Sequence, residues 1–250
     1  MKTAFFKEWL EQRRTHRLLL ICVVFFVFGL ASPLLAKFMP EIMKTVPGAE
    51  FIADIIPAPT LVDAVTQYLK NLTQFGLLLA VLVAMGMVSG EKDKGTAALV
   101  LAKPLSRTAF LLAKAAALAL CFAIALLLAA AAGWYYTFLL FEPLPVGGWL
   151  AMNGLLWVYF GVYAALGLLA STLSRTPLTS GGLALGMIIL LALVEIIPAA
   201  KDVLTGGLLA WAANLALGAG EPAWAALAVC LGVIAAALAA CVLLFRRQEL

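Results

Sequence analysis

Apolar and polar residues are not interspersed along this chain; they come in long blocks. Six apolar blocks stand out: Leu18–Ala36, Leu72–Ser89, Ala109–Leu140, Leu150–Leu173, Leu178–Ile197 and Trp224–Phe245. Apolar runs of about 18 residues or more read as helices that cross a bilayer. The blocks therefore predict six spans, the third of them longer than one crossing needs. Its last part, Gly133–Leu140, carries Trp134, Tyr135 and Tyr136, which suit a membrane interface. The fold class expected is an all-α polytopic membrane protein, one transmembrane domain over residues 1–250, with no internal repeat.

Composition agrees with this pattern. The hydrophobic share is 65% and mean hydropathy is +1.08, against roughly 45–50% apolar residues in a soluble domain. A net charge of +4 is a poor basis for nucleic-acid binding, and none is expected. The placement of that charge says more. With six spans both termini share a side, and thirteen of the 17 Lys and Arg residues fall on it. The other four are Lys37, Lys44, Lys70 and Lys201. The positive-inside rule then makes both termini and the 90–108 loop cytoplasmic, in a multi-pass plasma-membrane protein. The first block is no cleaved signal peptide, because a polar stretch of residues 1–17 precedes it and its apolar core is too long.

The polar segments differ in character. Residues 1–17 place Phe5, Phe6, Trp9 and Leu10 at helical spacing among charges, the pattern of a helix lying on the lipid surface. Such a helix is a plain anchor or an elbow that touches a cytoplasmic partner. Residues 37–71 form a first outer loop broken by Pro40, Pro47, Pro57 and Pro59, with Leu61–Leu72 a short helix leading into span two. Its scattered carboxylates read as solvated. Residues 198–222 are too apolar for an ordinary loop and too interrupted to cross twice. They read as a re-entrant pair of short helices.

The segment from Gly90 to Lys114, GEKDKGTAALVLAKPLSRTAFLLAK, carries the most information. Glu91, Lys92, Asp93 and Lys94 make a charged turn, Gly95 frees the backbone, and Thr96 suits the N-cap of a short helix over Ala97–Ala102. Pro104 ends that helix, Ser106 suits the cap of span three, and Arg107 and Lys114 stand where snorkelling cations hold a helix end. The short helix is apolar nearly all round. It either enters the socket of a soluble partner or sinks into the interface beneath its own bundle.

Other chemistry is thin. Gly90-x-x-x-x-Gly95 begins like a phosphate loop, but Thr96 stands where that motif needs Lys. His16 is the one histidine, so His-based zinc sites and a Ser-His-Asp triad are excluded. The four cysteines lie in apolar runs and read as packing residues. No metal site and no catalytic residue are expected. Glu195, near the end of span five, is the ionisable residue at membrane depth. It is either a cation or substrate contact on a transport path, or a carboxylate in water or bonded to the re-entrant loop, with Trp211 and Asn214 in view. Asn153, at the start of span four, has the same two readings.

Glu91-x-x-x-Gly95-Thr96, then Leu99 and Leu101, then Lys103-Pro104-x-Ser106-Arg107, then Lys114, resembles the signature of type-2 ABC transporter permeases. The ending Phe245-Arg246-Arg247-x-Glu249-Leu250 is similar to the tail that often closes these proteins. The resemblance implies a permease that forms a dimer with a second protomer and works with two copies of a cytoplasmic ABC ATPase. It implies no cofactor in this chain, since ATP and Mg are bound by the partner, and no enzyme activity of its own. By position, Glu91 and Gly95 would shape the turn, Thr96–Ala102 with Leu99 and Leu101 would dock as a coupling helix up to Pro104, and Arg107 would bind at the border with the ATPase. Export is the family's usual direction. An ATP-independent secondary transporter or channel is the alternative; it would call for paired carboxylates or related halves, and the chain displays neither.

Overall fold

The structure is a computed structural model that describes residues 2–47, 57–96 and 106–248. Among these residues every regular element is a helix. In chain order they are α1 (Lys2–Arg14), α2 (Arg17–Lys44), α3 (Leu61–Met85), α4 (Ser89–Asp93), α5 (Arg107–Leu140), α6 (Val146–Leu173), α7 (Pro177–Val194), α8 (Pro198–Val203), α9 (Thr205–Ala216) and α10 (Trp224–Arg246). Six helical stretches are long and apolar enough to cross a membrane: α2, α3 with α4, α5, α6, α7 and α10. They correspond to the six apolar blocks.

Helix ends depart from the sequence reading where proline was taken as a stop. The first span does not end at Ala36 but runs to Lys44, through Pro33 and Pro40. Proline removes one helical bond and bends the axis, and a membrane helix tolerates this when neighbours hold it. Beside Pro33, the Ser32 hydroxyl donates to the Phe28 carbonyl and accepts from Asn71 Nδ2 on α3 at 2.9 Å. The second span likewise starts at Leu61, as one continuous helix. Its first turn is fastened by the Asp63 carboxylate, which accepts from the Thr60 amide at 2.8 Å and hydroxyl at 2.7 Å. Asp63, read as a solvated carboxylate in the sequence, thus has a structural task.

The bundle is centred on α2, α3, α5 and α6. Phe25, Phe122 and Phe160, one each from α2, α5 and α6, pack with ring centroids 5.2–5.8 Å apart. Gly76 of α3 lets that trio close: a Cβ there would lie 2.4 Å from the Phe160 ring. Gly29 plays the same part between α2 and α5, where a Cβ would lie 2.7 Å from the Ala129 carbonyl oxygen. Small residues at such crossings are how membrane helices gain close packing without a hydrophobic driving force. By contrast α7 and α10 lie at the periphery, with most of their side chains outward. Trp211, Leu208 and Ala212 of α9 are buried, and α9 packs against α6.

Candidate functional site

The site grows from α1. Its buried positions are Ala4, Glu8 and Gln12, a spacing of four that puts all three on one face. That face is polar. Phe6 and Leu10 are exposed on other faces while Trp9 packs partly against the core, so α1 turns Glu8 toward the protein and Phe6 and Leu10 outward. His16, at φ 58°, makes the sharp joint into α2. Histidine is among the residues that adopt this left-handed backbone most readily.

Glu8 meets two other elements. Lys114 of α5 is buried, and its Nζ lies 2.8 Å from Glu8 Oε2 and 2.8 Å from Glu91 Oε1. Lys7 approaches from the exposed side, 2.9 Å from Glu91 Oε1, 3.0 Å from Glu8 Oε1 and 3.4 Å from Glu11 Oε2. Burial alone would lower the Lys7 pKa, but its bonds to Glu91 and Glu8 outweigh that and raise it above the ordinary lysine value. The carboxylates of Glu8, Glu11 and Glu91 come within 4.8 Å of one another. The two ammonium groups among them supply the neutralisation a metal ion would otherwise provide. Lys114 therefore does not snorkel. It is the centre of a buried ion cluster joining α1, α4 and α5, and its aliphatic stem and ammonium also sit over the Phe110 ring, 4.7 Å from the centroid.

Glu91 is presented by the break between α3 and α4. Ser171 of α6 bridges that break. Its hydroxyl oxygen accepts from the amides of Val88 and Ser89, each at 3.0 Å, and the hydroxyl donates to the Met85 carbonyl at 2.8 Å. A side chain from a neighbouring helix thus does the work of an N-cap. After α4, Gly95 takes φ 67°, a conformation open to glycine at little cost. The Thr96 hydroxyl donates back to the Glu91 carbonyl at 3.2 Å and closes the turn.

A second anchorage lies beside the first. Lys92 donates to the carbonyls of Thr172 and Ser174 at the end of α6 and to Gln248 Oε1 at 2.6 Å. Arg107, the first residue of α5, donates through Nη1 to the carbonyls of Phe245, Arg246 and Gln248 at 2.8, 3.0 and 2.7 Å. These are orphan acceptors at the end of α10, and a guanidinium suits that helix terminus. Arg246 donates to Thr108 at 3.0 Å, and Phe110 stacks on Phe245 with centroids 5.6 Å apart.

Of the residues singled out from the sequence, Glu91, Gly95, Thr96 and Arg107 flank one segment, residues 97–105. Leu99, Leu101 and Pro104 belong to that segment and lie outside the described residues. Ser106 caps α5, accepting from the Ala109 amide at 3.2 Å. Glu195 and Asn153 are placed apart from this group. Glu195 Oε1 accepts from the Thr205 amide at 2.8 Å, the Thr205 hydroxyl and the Gly206 amide at 3.3 Å, capping α9. Asn153 is buried between α3 and α6, accepting from the Tyr68 hydroxyl at 2.8 Å and donating to the Trp149 carbonyl at 2.9 Å. Ser171 and Gln248 escaped the sequence reading, and the partners of Glu8, Lys7 and Lys92 did too. Lys114 was singled out there, but as a snorkelling cation, and the structure buries it on Glu8 and Glu91 instead.

The described residues thus form an all-helical bundle with six membrane-length spans, and the stems on either side of residues 97–105 are fastened at the end of the bundle where α1 and the end of α10 meet α5. The family model described as "ABC-2 family transporter protein" matches residues 3–207, and the chain belongs to that family. It is a membrane component of a transport system, and the family implies an ABC ATPase as partner in general terms. The chain is also similar to the uncharacterized transmembrane protein YxlG of Bacillus subtilis (strain 168), 28% identical over 190 residues, covering 72% of this chain and 70% of that one.

Proposed function

We propose that this chain is the membrane-spanning permease subunit of an ABC exporter, and that residues 90–108 dock on a separate ATPase subunit. Two such ATPases bind ATP and Mg, and two permease protomers form the substrate path. The termini and residues 90–108 face the cytoplasm, the side that holds thirteen of the 17 basic residues. The observation that supports this reading most is the double anchorage of the segment 97–105. Its entering stem is tied through Glu91 to α1 and α5, and through Lys92 to α6 and the chain's end. Its leaving stem is tied through Arg107 to the end of α10. A loop that only joined two spans would need neither.

Coupling is differential binding: closure of the ATPases on nucleotide must favour one arrangement of the helices over another. A segment fixed to α1, α5, α6 and α10 transmits such a preference to four elements at once. Co-purification tests the partnership. The chain should bring down an ATPase with a Walker motif, and that ATPase should hydrolyse faster with the permease in proteoliposomes. Glu91→Ala or Leu99→Pro should leave hydrolysis running while transport falls. Normal transport by both variants would overturn the assignment.

A further inference from the structure

Spans α5, α6 and α10 do not close on one another completely. α10 packs along α6 but meets α5 mainly at the end where the chain terminates, through Phe245 on Phe110 and Arg246 on Thr108. Above those contacts a groove of about 440 Å³ remains between α5 and α10, with α6 as its floor. Small residues, among them Ala119, Gly161 and Ala164, open its floor and near wall between larger apolar ones, and Leu231, Ile234 and Leu238 form the α10 wall. Trp157 stands at the far end, its indole Nε1 donating across to the Ala119 carbonyl at 2.8 Å. The volume lies in the range of roughly 300–1,000 Å³ common to ligand sites.

We propose that this groove holds one acyl chain of a glycerophospholipid from the leaflet at the terminal end of the bundle, with Arg246 engaging the lipid phosphate. Two features select this occupant. The groove lies within the span lengths, where the surrounding solvent is hydrocarbon, and its lining is apolar over about 15 Å of α5, from Leu112 to Phe122. The exposed Arg246 guanidinium lies at Thr108, one helical turn or about 6 Å from Leu112 at the groove's lower end. That is where the headgroup of such a lipid sits, and a guanidinium binds phosphate oxygens with directional, charge-assisted bonds.

The proposal does not require the ATPase reading, so each can fail alone. The test is native mass spectrometry of the delipidated full chain, titrated with dioleoyl phosphatidylglycerol or dioleoyl phosphatidylcholine. The wild type should retain one lipid per chain, with the anionic lipid preferred about fivefold, the weight of one basic residue at a membrane surface. Arg246→Gln should abolish the preference while phosphatidylcholine stays bound. Ala164→Trp, which fills the groove, should remove the retained lipid. Ala119→Leu gives the same reading with a smaller change, should the tryptophan variant fail to fold. Wild-type retention in the folded groove variants would overturn the proposal. So would a photocrosslinker at Trp157 that captures a second protein chain in place of lipid.

Discussion

Lys114 Nζ and Glu91 Oε1 lie 2.8 Å apart, and the two residues, 23 positions distant in the chain, stand on either side of residues 97–105. The pair closes the stems of that segment on each other, and Glu8 of α1 completes it from a third direction. Loss of Lys114 removes the buried cation and leaves Glu8 and Glu91 sharing the half-exposed Lys7. Lys114→Met should therefore cost about 3–5 kcal/mol, the range for breaking a buried ion pair from one side. Thermal unfolding in detergent measures this. Glu8→Gln should cost less, because Lys114 keeps Glu91. Equal and small effects of both would mean the cluster contributes no net stability.

The legible part of this fold was the part the bilayer dictates. Backbone groups in hydrocarbon must bond within their own helix, so six apolar blocks gave six spanning helices. The ends were harder, because a proline is read as a stop in water and tolerated in lipid. Pro40, read as a loop breaker, lies inside α2 for that reason, as does Pro33. The charged residues were the least legible. Lys114 and Arg107 look alike in sequence, cations near a helix start. One is buried on two carboxylates and the other closes the last turn of α10. Only the tertiary arrangement separates them, since their partners are about 20 to 140 residues away. Glu8 was hidden by the strong aromatic signal of Phe5, Phe6 and Trp9 on the same short helix.

Arg107 is expected to hold the end of α10. Arg107→Ala removes three bonds from a charged donor, each of a kind worth about 1.5–3 kcal/mol at most and not additive. Hydrogen exchange at the amides of residues 243–248 should quicken at least tenfold, while amides in the middle of α6 keep their protection. Lys should restore part of the protection, because all three carbonyls accept from the single Nη1 and an ammonium nitrogen carries three donors. Unchanged exchange in Arg107→Ala would show that Phe110 and Phe245 hold α10 without it.

Glu195 acts as the cap of α9, since both amides at that helix start and the Thr205 hydroxyl converge on one carboxylate oxygen. Glu195→Ala should destabilise by about 0.5–2 kcal/mol, as N-cap losses do. The apparent affinity for a transported compound should stay within twofold. A larger shift in affinity, with stability unchanged, would instead assign Glu195 to the substrate path.

Orientation is checked by single cysteines outside the spans. Thr15 and Glu221 are both exposed, and the charge distribution puts them on opposite sides. In intact cells a membrane-impermeant maleimide should label Glu221→Cys and leave Thr15→Cys unlabelled until the membrane is opened. The reverse pattern would invert the topology and remove residues 90–108 from the reach of any cytoplasmic ATPase.

The centre of the bundle makes the sharpest packing prediction. A Cβ on Gly76 would lie 2.4 and 2.5 Å from two atoms of the Phe160 ring and 2.9 Å from the Phe25 ring. Both rings are fully buried and packed on Phe122, so a shift of either disturbs the trio. Gly76→Ala should thus destabilise by about 1–3 kcal/mol through overpacking, although alanine is the better helix former by about 1 kcal/mol. The sign of the result decides between these two effects. Shortening the obstructing ring should restore what the methyl takes away, so Phe160→Leu combined with Gly76→Ala should be more stable than the sum of the single changes implies. Additivity of the two substitutions would show that α3 and α6 do not meet at this point.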